Sequence, residues 1–273
     1  MLNNEIFKKV VIYLLFIILG CVFTIVFFKI SEYYEYQEKI KLENKVIEQQ
    51  KKEKIKQENF KKQRENIISE IITNTPIKAK SFLVKNLDTK EIIFEKNSQR
   101  MFGLASLTKI ATAIVALESE NENIKIQPHF LKILGESGLV SGEVFKKKDL
   151  TELMFMESVN DGSTALAYSG TINRNNHENF LKKMNKLAVR LNMNSTIFFS
   201  DSGLDITSSV NGSYGSAQDV SKLIYFIYKN HPTFVKNTTV PRKVICSNIF
   251  CHDVENTNPL VEITPNIIFS KTG

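Results

Sequence analysis

Two contrasting patterns of apolar and polar positions occupy the N-terminal part of the chain. Residues 10–28 form an uncharged, strongly apolar run, and a helix needs about 20 such residues to cross the hydrocarbon core of a membrane. Residues 29–75 are rich in Glu, Lys and Gln, contain neither Gly nor Pro, and carry sparse apolar positions without a steady heptad. We therefore predict a transmembrane helix and then a solvated helical or coiled-coil-like linker, which would extend roughly 60 Å at ~1.5 Å per residue. A spacer and a partner-binding coiled coil both fit this linker, which we expect to end at Pro76.

The charges beside the apolar run indicate its orientation. Lys8 and Lys9 precede it, whereas Glu32 and further acidic residues follow it. Because basic residues favour the cytoplasmic side, we predict that residues 1–9 form a cytoplasmic tail and that the rest of the chain lies outside. The run is longer than the apolar core of a cleaved signal peptide, and no small-x-small site follows it. The residues after Cys21 stay apolar, unlike those after a lipoprotein cleavage site, so we expect an uncleaved single-pass anchor in the cell membrane.

Beyond the linker the pattern becomes that of a globular domain, which we assign to residues 76–273. The stretch "SFLVKNLDTKEIIFEKN" predicts two short strands around a polar turn at 88–90. Gly103 then interrupts the chain, and the apolar run that starts at Ser106 predicts a buried helix.

The composition argues against several classes of function. The formal charge of +7 is concentrated near the N-terminus: the first 80 residues carry 15 basic and 10 acidic side chains, and the remainder carries 21 and 19. No Arg-rich cluster with interleaved aromatic residues is present, so we expect no nucleic-acid partner. The four His and three Cys residues lack ligand spacing, so we expect neither a metal nor a cofactor. Cys246 and Cys251 bracket four residues, and both a disulfide and two unpaired thiols fit this spacing outside the cytoplasm.

The predicted buried helix begins with a serine and a lysine that could form a catalytic pair. Ser106 and Lys109 are three positions apart and therefore share one helix face. A serine hydroxyl is a weak nucleophile until a base removes its proton, and a lysine can be that base where burial or nearby positive charge lowers its pKa. The structural alternative is that Ser106 caps the helix and that Lys109 lies on the helix surface.

A polar triplet interrupts the next apolar stretch, "LTELMFMESVNDGSTALAYSG". Ser158 and Asn160 lie where two helical segments meet, which would place two hydrogen-bonding side chains in a cleft. Helix capping is the structural alternative. The triplet Ser-Val-Asn recurs at 209–211, in a polar loop before a helix that we predict to begin near Ser216, and we assign that copy to loop structure.

The last three residues of the sequence are Lys271, Thr272 and Gly273, which follow the apolar stretch "NIIFS". The lysine offers a cation for a substrate carboxylate and raises the local positive potential, and the threonine offers a hydroxyl. The glycine lets a substrate backbone approach closely. We predict that these three residues bind substrate.

The motifs Ser-x-x-Lys, Ser-x-Asn and Lys-Thr-Gly, in this order, resemble those of the penicillin-binding protein and serine β-lactamase superfamily. Within it, the chain is most similar to the D-alanyl-D-alanine carboxypeptidases of peptidase family S11, over about residues 80–273. The stretches "EKNSQRMFGLASLTKIATA", "ESVNDGSTALA", "NMNSTIFFSDSGLD" and "YGSAQDVSKL" carry the resemblance, with Val159 in place of the usual Gly. The resemblance implies an α+β fold of the β-lactamase/transpeptidase type, with an antiparallel sheet flanked by helices and an all-α subdomain.

The resemblance also implies a role for each motif residue. Ser106 would attack the carbonyl between two D-alanines of a peptidoglycan stem peptide, and Lys109 would take its proton. Ser158 would pass a proton to the leaving D-alanine, while Asn160 would hold Lys109 and the substrate amide. The terminal triplet would bind the substrate carboxylate, and the Ser106 N–H would supply half of an oxyanion hole. β-Lactam antibiotics would acylate the same serine.

In this family the terminal triplet begins an edge strand of a five-stranded antiparallel sheet, and two further strands and a closing helix follow it. The second oxyanion donor belongs to the residue after the glycine. We therefore expect that the sequence is truncated at its C-terminus, that the sheet has an exposed edge, and that the chain as it stands is inactive.

Two alternative functions stay open. A serine β-lactamase of the same fold would need a Glu-x-x-Leu-Asn loop to activate the deacylating water, and no such motif follows Ser158. A non-catalytic, membrane-anchored wall-associated protein would not need Ser106, Lys109 and Lys271 to be intact. We therefore predict a serine-type D-Ala-D-Ala carboxypeptidase that removes the terminal D-Ala from stem peptides through a Ser106 acyl-enzyme.

Overall fold

The computed structural model describes residues 2–74, 77–120, 123–132 and 137–273, and the chain divides into two compact units. The first unit ends at Ile77, and the second comprises Lys78–Gly273. Pro76, where the sequence predicts the end of the linker, lies outside the described residues.

A single helix, α1 (Leu2–Asn74), accounts for most of the first unit. The apolar side chains of its N-terminal part are exposed, as Phe16 (69%) and Phe23 (71%) illustrate. Of the helices that the structure describes, α1 is the one that is long and apolar enough to cross a membrane, by length and composition. The apolar run and the Glu/Lys/Gln-rich stretch are parts of one uninterrupted helix. No proline separates them, and the second stretch consists largely of residues that favour helix.

The second unit is built around one buried helix. A short 3-10 helix at Ala105–Thr108 leads into α2 (Lys109–Leu117), which is buried from its first residue to Ala116. A helix that is apolar on all sides belongs inside a core, so the buried helix predicted from the sequence is confirmed. The other described helices are α3 (Lys147–Met156), α4 (Asn160–Ala167), α5 (Arg174–Arg190), α6 (Ala217–Asn230), α7 (Pro232–Asn237) and α8 (Leu260–Ile263), with a 3-10 turn at Phe130–Lys132. Of these, α3, α4, α5 and α6 all pack against α2.

The described strands form small antiparallel sheets instead of one five-stranded sheet. They are β1 (Phe82–Lys85), β2 (Ile92–Lys96), β3 (Phe102–Gly103), β4 (Asn123–Lys125), β5 (Val144–Lys146), β6 (Ile197–Phe198), β7 (Ser213–Gly215), β8 (Arg242–Cys246) and β9 (Cys251–Glu255). The pairings are β1–β2, β4–β5 and β8–β9, together with a three-stranded sheet in the order β3–β7–β6. The β1–β2 pair confirms the predicted hairpin. At the turn end of β8–β9, a disulfide joins Cys246 to Cys251. The structure therefore has the disulfide, and not the two unpaired thiols that the sequence also allowed.

The terminal triplet does not lie in a strand, so this part of the sequence prediction is wrong. Residues 264–273 are all described, and they carry neither helix nor strand pairing. A strand is defined by its hydrogen bonds to a neighbouring strand, and none of the sheets formed by the described residues extends to this segment. Instead, Thr272 Oγ1 hydrogen-bonds with Thr257 Oγ1 at 2.6 Å. Gly273 lies so close to Leu107 that an added Cβ would be 2.8 Å from its Cγ.

Candidate active site

Ser106 and Lys109 meet at the entrance to α2. Lys109 is fully buried, whereas Ser106 is half-buried in the preceding 3-10 helix. Lys109 Nζ donates a hydrogen bond to Ser106 Oγ at 3.0 Å. The helical spacing that puts the two residues on one face therefore also brings the amine within reach of the hydroxyl proton.

Two further acceptors hold the amine of Lys109 in place. Its Nζ donates to Asn160 Oδ1, at the first position of α4, at 2.8 Å, and to the backbone carbonyl of Ser202 at 2.9 Å. The Ser106 hydroxyl is the third acceptor. With three acceptors for three ammonium hydrogens, the charged lysine is fully hydrogen-bonded although it has no access to water.

Ser158 lies between α3 and α4, where the sequence predicts a polar turn. It adopts a left-handed backbone conformation (φ +62°). Such a φ is uncommon for residues other than glycine and is found in turns and functional sites. Lys271 Nζ donates to Ser158 Oγ at 2.9 Å and lies 5.8 Å from the centre of the Phe155 ring. Lys271 of the terminal triplet is thus hydrogen-bonded to Ser158 of the Ser-x-Asn motif.

Burial and charge set the protonation of the two lysines. Burial lowers the pKa of Lys109 from its ordinary 10.5 to about 8, and the carboxylate of Asp201 partly opposes this change. Burial also lowers the pKa of Lys271 to about 7, and the positive charge of Lys109 adds to the effect. Both amines therefore have a larger neutral fraction near neutral pH than an exposed lysine has, and they can exchange protons with the neighbouring serines.

The backbone around the nucleophile candidate is tightly constrained. Ala105, directly before Ser106, has a φ of +45°. Gly203 has a φ of +87°, and a Cβ added to it would lie 1.8 Å from the Ala105 carbonyl oxygen. Only glycine can occupy this position without a shift, because the conformation and the close approach both exclude a side chain. The loop that carries Ser202 is therefore pressed against the turn that carries Ser106.

The structure brings together most of the predicted site residues. Ser106, Lys109 and Asn160 form one hydrogen-bonded group, and Ser158 pairs with Lys271. Thr272 is linked to this group only through its backbone, since Lys271 Nζ donates to the Thr272 carbonyl at 2.5 Å. Among the described hydrogen bonds, the Thr272 side chain pairs with Thr257 instead, and Gly273 lies against Leu107. The second Ser-Val-Asn triplet, at 209–211, lies in a loop with an exposed turn, as predicted.

Sequence patterns give little signal for two further groups of this site. One is the carbonyl of Ser202, which holds Lys109; a backbone acceptor has no residue-type signature. The other is Asp201, a buried carboxylate near Lys109. Both lie in "FFSDSGLD", whose apolar–polar pattern indicates only a loop after a short strand.

Solved structures with the same fold define the class of protein. A Streptomyces DD-transpeptidase superposes with a TM-score of 0.64 at 23% identity, over 73% of this chain and 81% of that one. A D-alanyl-D-alanine carboxypeptidase from Mycobacterium tuberculosis gives a TM-score of 0.63 at 24% identity, over 71% and 72%. The second unit therefore has the penicillin-binding, transpeptidase-like fold, which confirms the fold class predicted from the sequence.

The family follows from the sequence comparison. A family model described as D-alanyl-D-alanine carboxypeptidase matches residues 68–273. The chain belongs to this family, peptidase S11.

Named relatives are similar to this chain over the same region. The D-alanyl-D-alanine carboxypeptidase DacF of Bacillus subtilis is 29% identical over 206 residues, which cover 71% of this chain and 50% of that protein. A D-alanyl-D-alanine endopeptidase of Pseudomonas aeruginosa is 28% identical over 206 residues, which cover 71% and 62%. The chain thus spans about half to two thirds of the length of these relatives.

Proposed function

We propose that the protein is a serine D-alanyl-D-alanine carboxypeptidase that removes the terminal D-Ala from peptidoglycan stem peptides. The observation that carries the proposal is a pair of lysines, each within 3.0 Å of a serine hydroxyl: the buried Lys109 on Ser106, and the half-buried Lys271 on Ser158. Both lysines have a lowered pKa, as a base for a serine nucleophile requires. Membership of family S11 supports the substrate class.

The proposed reaction proceeds through an acyl-enzyme. Neutral Lys109 takes the proton of Ser106 while Oγ bonds to the carbonyl carbon of the penultimate D-Ala. The C–N bond to the terminal D-Ala then breaks, and the Ser158 hydroxyl supplies the proton that the leaving amine needs. Lys271, which donates to Ser158, replaces that proton. Water then attacks the ester carbonyl. As the C–O bond to Ser106 breaks, Lys109 returns its proton to Ser106 Oγ, and the proton that the water loses passes through Ser158 to Lys271, which restores the starting state.

Asn160 and the terminal triplet have supporting roles in this proposal. Asn160 holds the amine of Lys109 and faces the amide of the substrate. Lys271 and Thr272 bind the carboxylate of the terminal D-Ala, with Gly273 leaving room for the substrate backbone. The N–H of Ser106 donates to the oxyanion, an interaction that is typically worth about 10²–10³ in rate when one such donor is lost.

An endopeptidase that cleaves cross-links is the second candidate. Three of the relatives, from Pseudomonas aeruginosa, Escherichia coli and Haemophilus influenzae, are named D-alanyl-D-alanine endopeptidases. Purified peptidoglycan fragments distinguish the two activities: a carboxypeptidase releases free D-Ala from a pentapeptide, whereas an endopeptidase converts a cross-linked dimer into monomers. Release of D-Ala without loss of dimers is the result that we expect.

The N-terminal helix suggests where the protein acts. We propose that residues 10–28 of α1 anchor it in the cell membrane, with residues 1–9 in the cytoplasm and the peptidase unit outside, within reach of the wall. Protease added to intact cells should then degrade residues 78–273 and spare an N-terminal tag. Protection of both ends would contradict this orientation.

The central test is covalent labelling by a penicillin. The full-length protein, by which we mean the chain together with any natural sequence that follows Gly273, should gain the mass of one penicilloyl group in detergent, and Ser106→Ala should gain none. The repeated triplet supplies a matched pair: Ser158→Ala should slow labelling strongly, whereas Ser209→Ala should leave it unchanged, because Ser209 lies in an exposed loop. Equal labelling of wild type and Ser106→Ala would refute the assignment of the nucleophile.

A further inference from the structure

One carboxylate beside the site takes no part in the proposed reaction. Asp201 is only 5% exposed. Its Oδ2 accepts a hydrogen bond from Thr164 Oγ1 on α4 at 3.0 Å, and its Oδ1 pairs with His177 Nε2 on α5 at 3.0 Å. Its backbone carbonyl accepts from Thr112 Oγ1 on α2 at 2.5 Å. Three helices therefore hold this one residue of the loop.

The position of Asp201 determines what the next residue can do. Ser202 presents its carbonyl to Lys109 Nζ at 2.9 Å. The Ser202 carbonyl belongs to the peptide unit between residues 202 and 203. The anchors of Asp201 fix the preceding peptide unit, and this unit sets the position from which the Ser202 carbonyl projects. The buried negative charge of Asp201 also favours the protonated form of Lys109 and opposes the effect of burial.

We propose that Asp201 is the positioning residue of the candidate base, because its hydrogen bonds to three helices hold the Ser202 carbonyl on Lys109. This inference rests on the proposed function. A general base benefits from basicity as well as from a neutral fraction, so a buried lysine without a counter-charge would deprotonate easily but accept a proton weakly.

The other titratable groups near this carboxylate are few among the described residues. Lys109 approaches from α2 and His177 from α5. The ring of Tyr168, at the end of α4, stacks on His177 with the ring centres 4.7 Å apart. The positive charge of Lys109 in turn lowers the pKa of Lys271. Substituting Asp201 itself is therefore the direct way to change the electrostatic potential at the Lys109 amine.

The test reads the charge state of Lys109 without needing activity. Full-length protein in detergent is labelled with ¹³Cε-lysine and titrated by NMR, and the signal of Lys109 is assigned by its absence in Lys109→Met. Asp201→Asn keeps the shape of the side chain and removes its charge. The amide NH₂ that replaces one acceptor oxygen can donate to the Thr164 hydroxyl or to the His177 ring. The titration midpoint of Lys109 should therefore fall by about one pH unit. Asp205→Asn, in the same loop but exposed, should leave the midpoint in place. An unchanged midpoint in Asp201→Asn would overturn the inference.

The penicillin-acylation rate measured against pH gives a second readout. In Asp201→Asn the acidic limb of the profile should move by the same amount as the NMR midpoint. Thr112→Val removes an anchor but keeps the charge, so the maximal rate should fall about fivefold, the equivalent of one hydrogen bond. A wild-type rate in Thr112→Val would refute the positioning role, and this variant also decides the matter if Asp201→Asn does not fold. Absence of acylation in the wild type, together with the expected NMR shift, would refute the proposed function and leave the role of Asp201 intact.

Discussion

Replacement of Lys109 by methionine tests the central electrostatic claim about the site. Lys109 is fully buried, and burial lowers its pKa from 10.5 to about 8. Each pKa unit corresponds to about 1.4 kcal/mol, so keeping this lysine protonated in the folded state costs about 3 kcal/mol. Methionine has a similar length and no charge, so Lys109→Met removes this cost and removes the base with it.

The sign of the effect follows from proton linkage. Between pH 8 and 10.5 the unfolded chain keeps a proton on this lysine that the folded chain has lost. The free energy of unfolding should therefore rise with pH in this window and be lowest, with respect to this group, below pH 8. For the wild type we expect a rise of about 2 kcal/mol between pH 7.5 and 9.5 from Lys109 alone, and Lys109→Met should lack this contribution.

Pulse proteolysis in urea measures the free energy of unfolding at both pH values without relying on tryptophan, which the chain lacks. Lys183→Met, at an exposed position of α5, is the matched control and should retain the pH dependence of the wild type. Penicillin labelling of the same samples should be abolished in Lys109→Met alone. If Lys109→Met and the wild type show the same pH dependence, Lys109 does not have a lowered pKa, and the argument that it is the base fails.

Gly203→Ala should slow penicillin acylation at least about tenfold and destabilise the peptidase unit by about 1–3 kcal/mol, because its Cβ would collide with the Ala105 carbonyl; a wild-type acylation rate would contradict the close approach. Lys271→Ala should lower the second-order rate of acylation about ten- to hundredfold, as expected when a charged hydrogen-bond donor is lost, and an unchanged rate would exclude it from substrate binding. Replacing both Cys246 and Cys251 by serine should lower the free energy of unfolding by about 2 kcal/mol, since the disulfide closes only a short loop, while acylation persists. Thiol counting on the unreduced protein should find neither cysteine free, and two free thiols at these positions would contradict the bridge.

Local patterns in the sequence were sufficient to predict the long N-terminal helix, the buried helix and the first hairpin. The uncharged run at 10–28 and the helix-favouring stretch after it indicate a long helix because length and composition are local properties, and α1 runs from Leu2 to Asn74. The apolar run after Gly103 likewise predicts a buried helix, and the structure has α2 there, buried over most of its length. The strand expected at the terminal triplet is wrong because a strand depends on a partner elsewhere in the chain, and no local pattern supplies one.

The same distinction applies to the candidate site. Ser106 and Lys109 could be paired from the sequence because helix geometry alone brings positions i and i+3 together. The contact between Lys271 and Ser158 joins residues 113 positions apart, and the sequence could suggest it only through the order of the motifs. No sequence pattern indicates that the Ser202 carbonyl binds Lys109, or that the charge of Asp201 acts on Lys109. The lowered pKa of Lys109 is likewise a tertiary property, because it arises from burial by helices that lie far apart in the chain and from a charge that only the folded loop brings close.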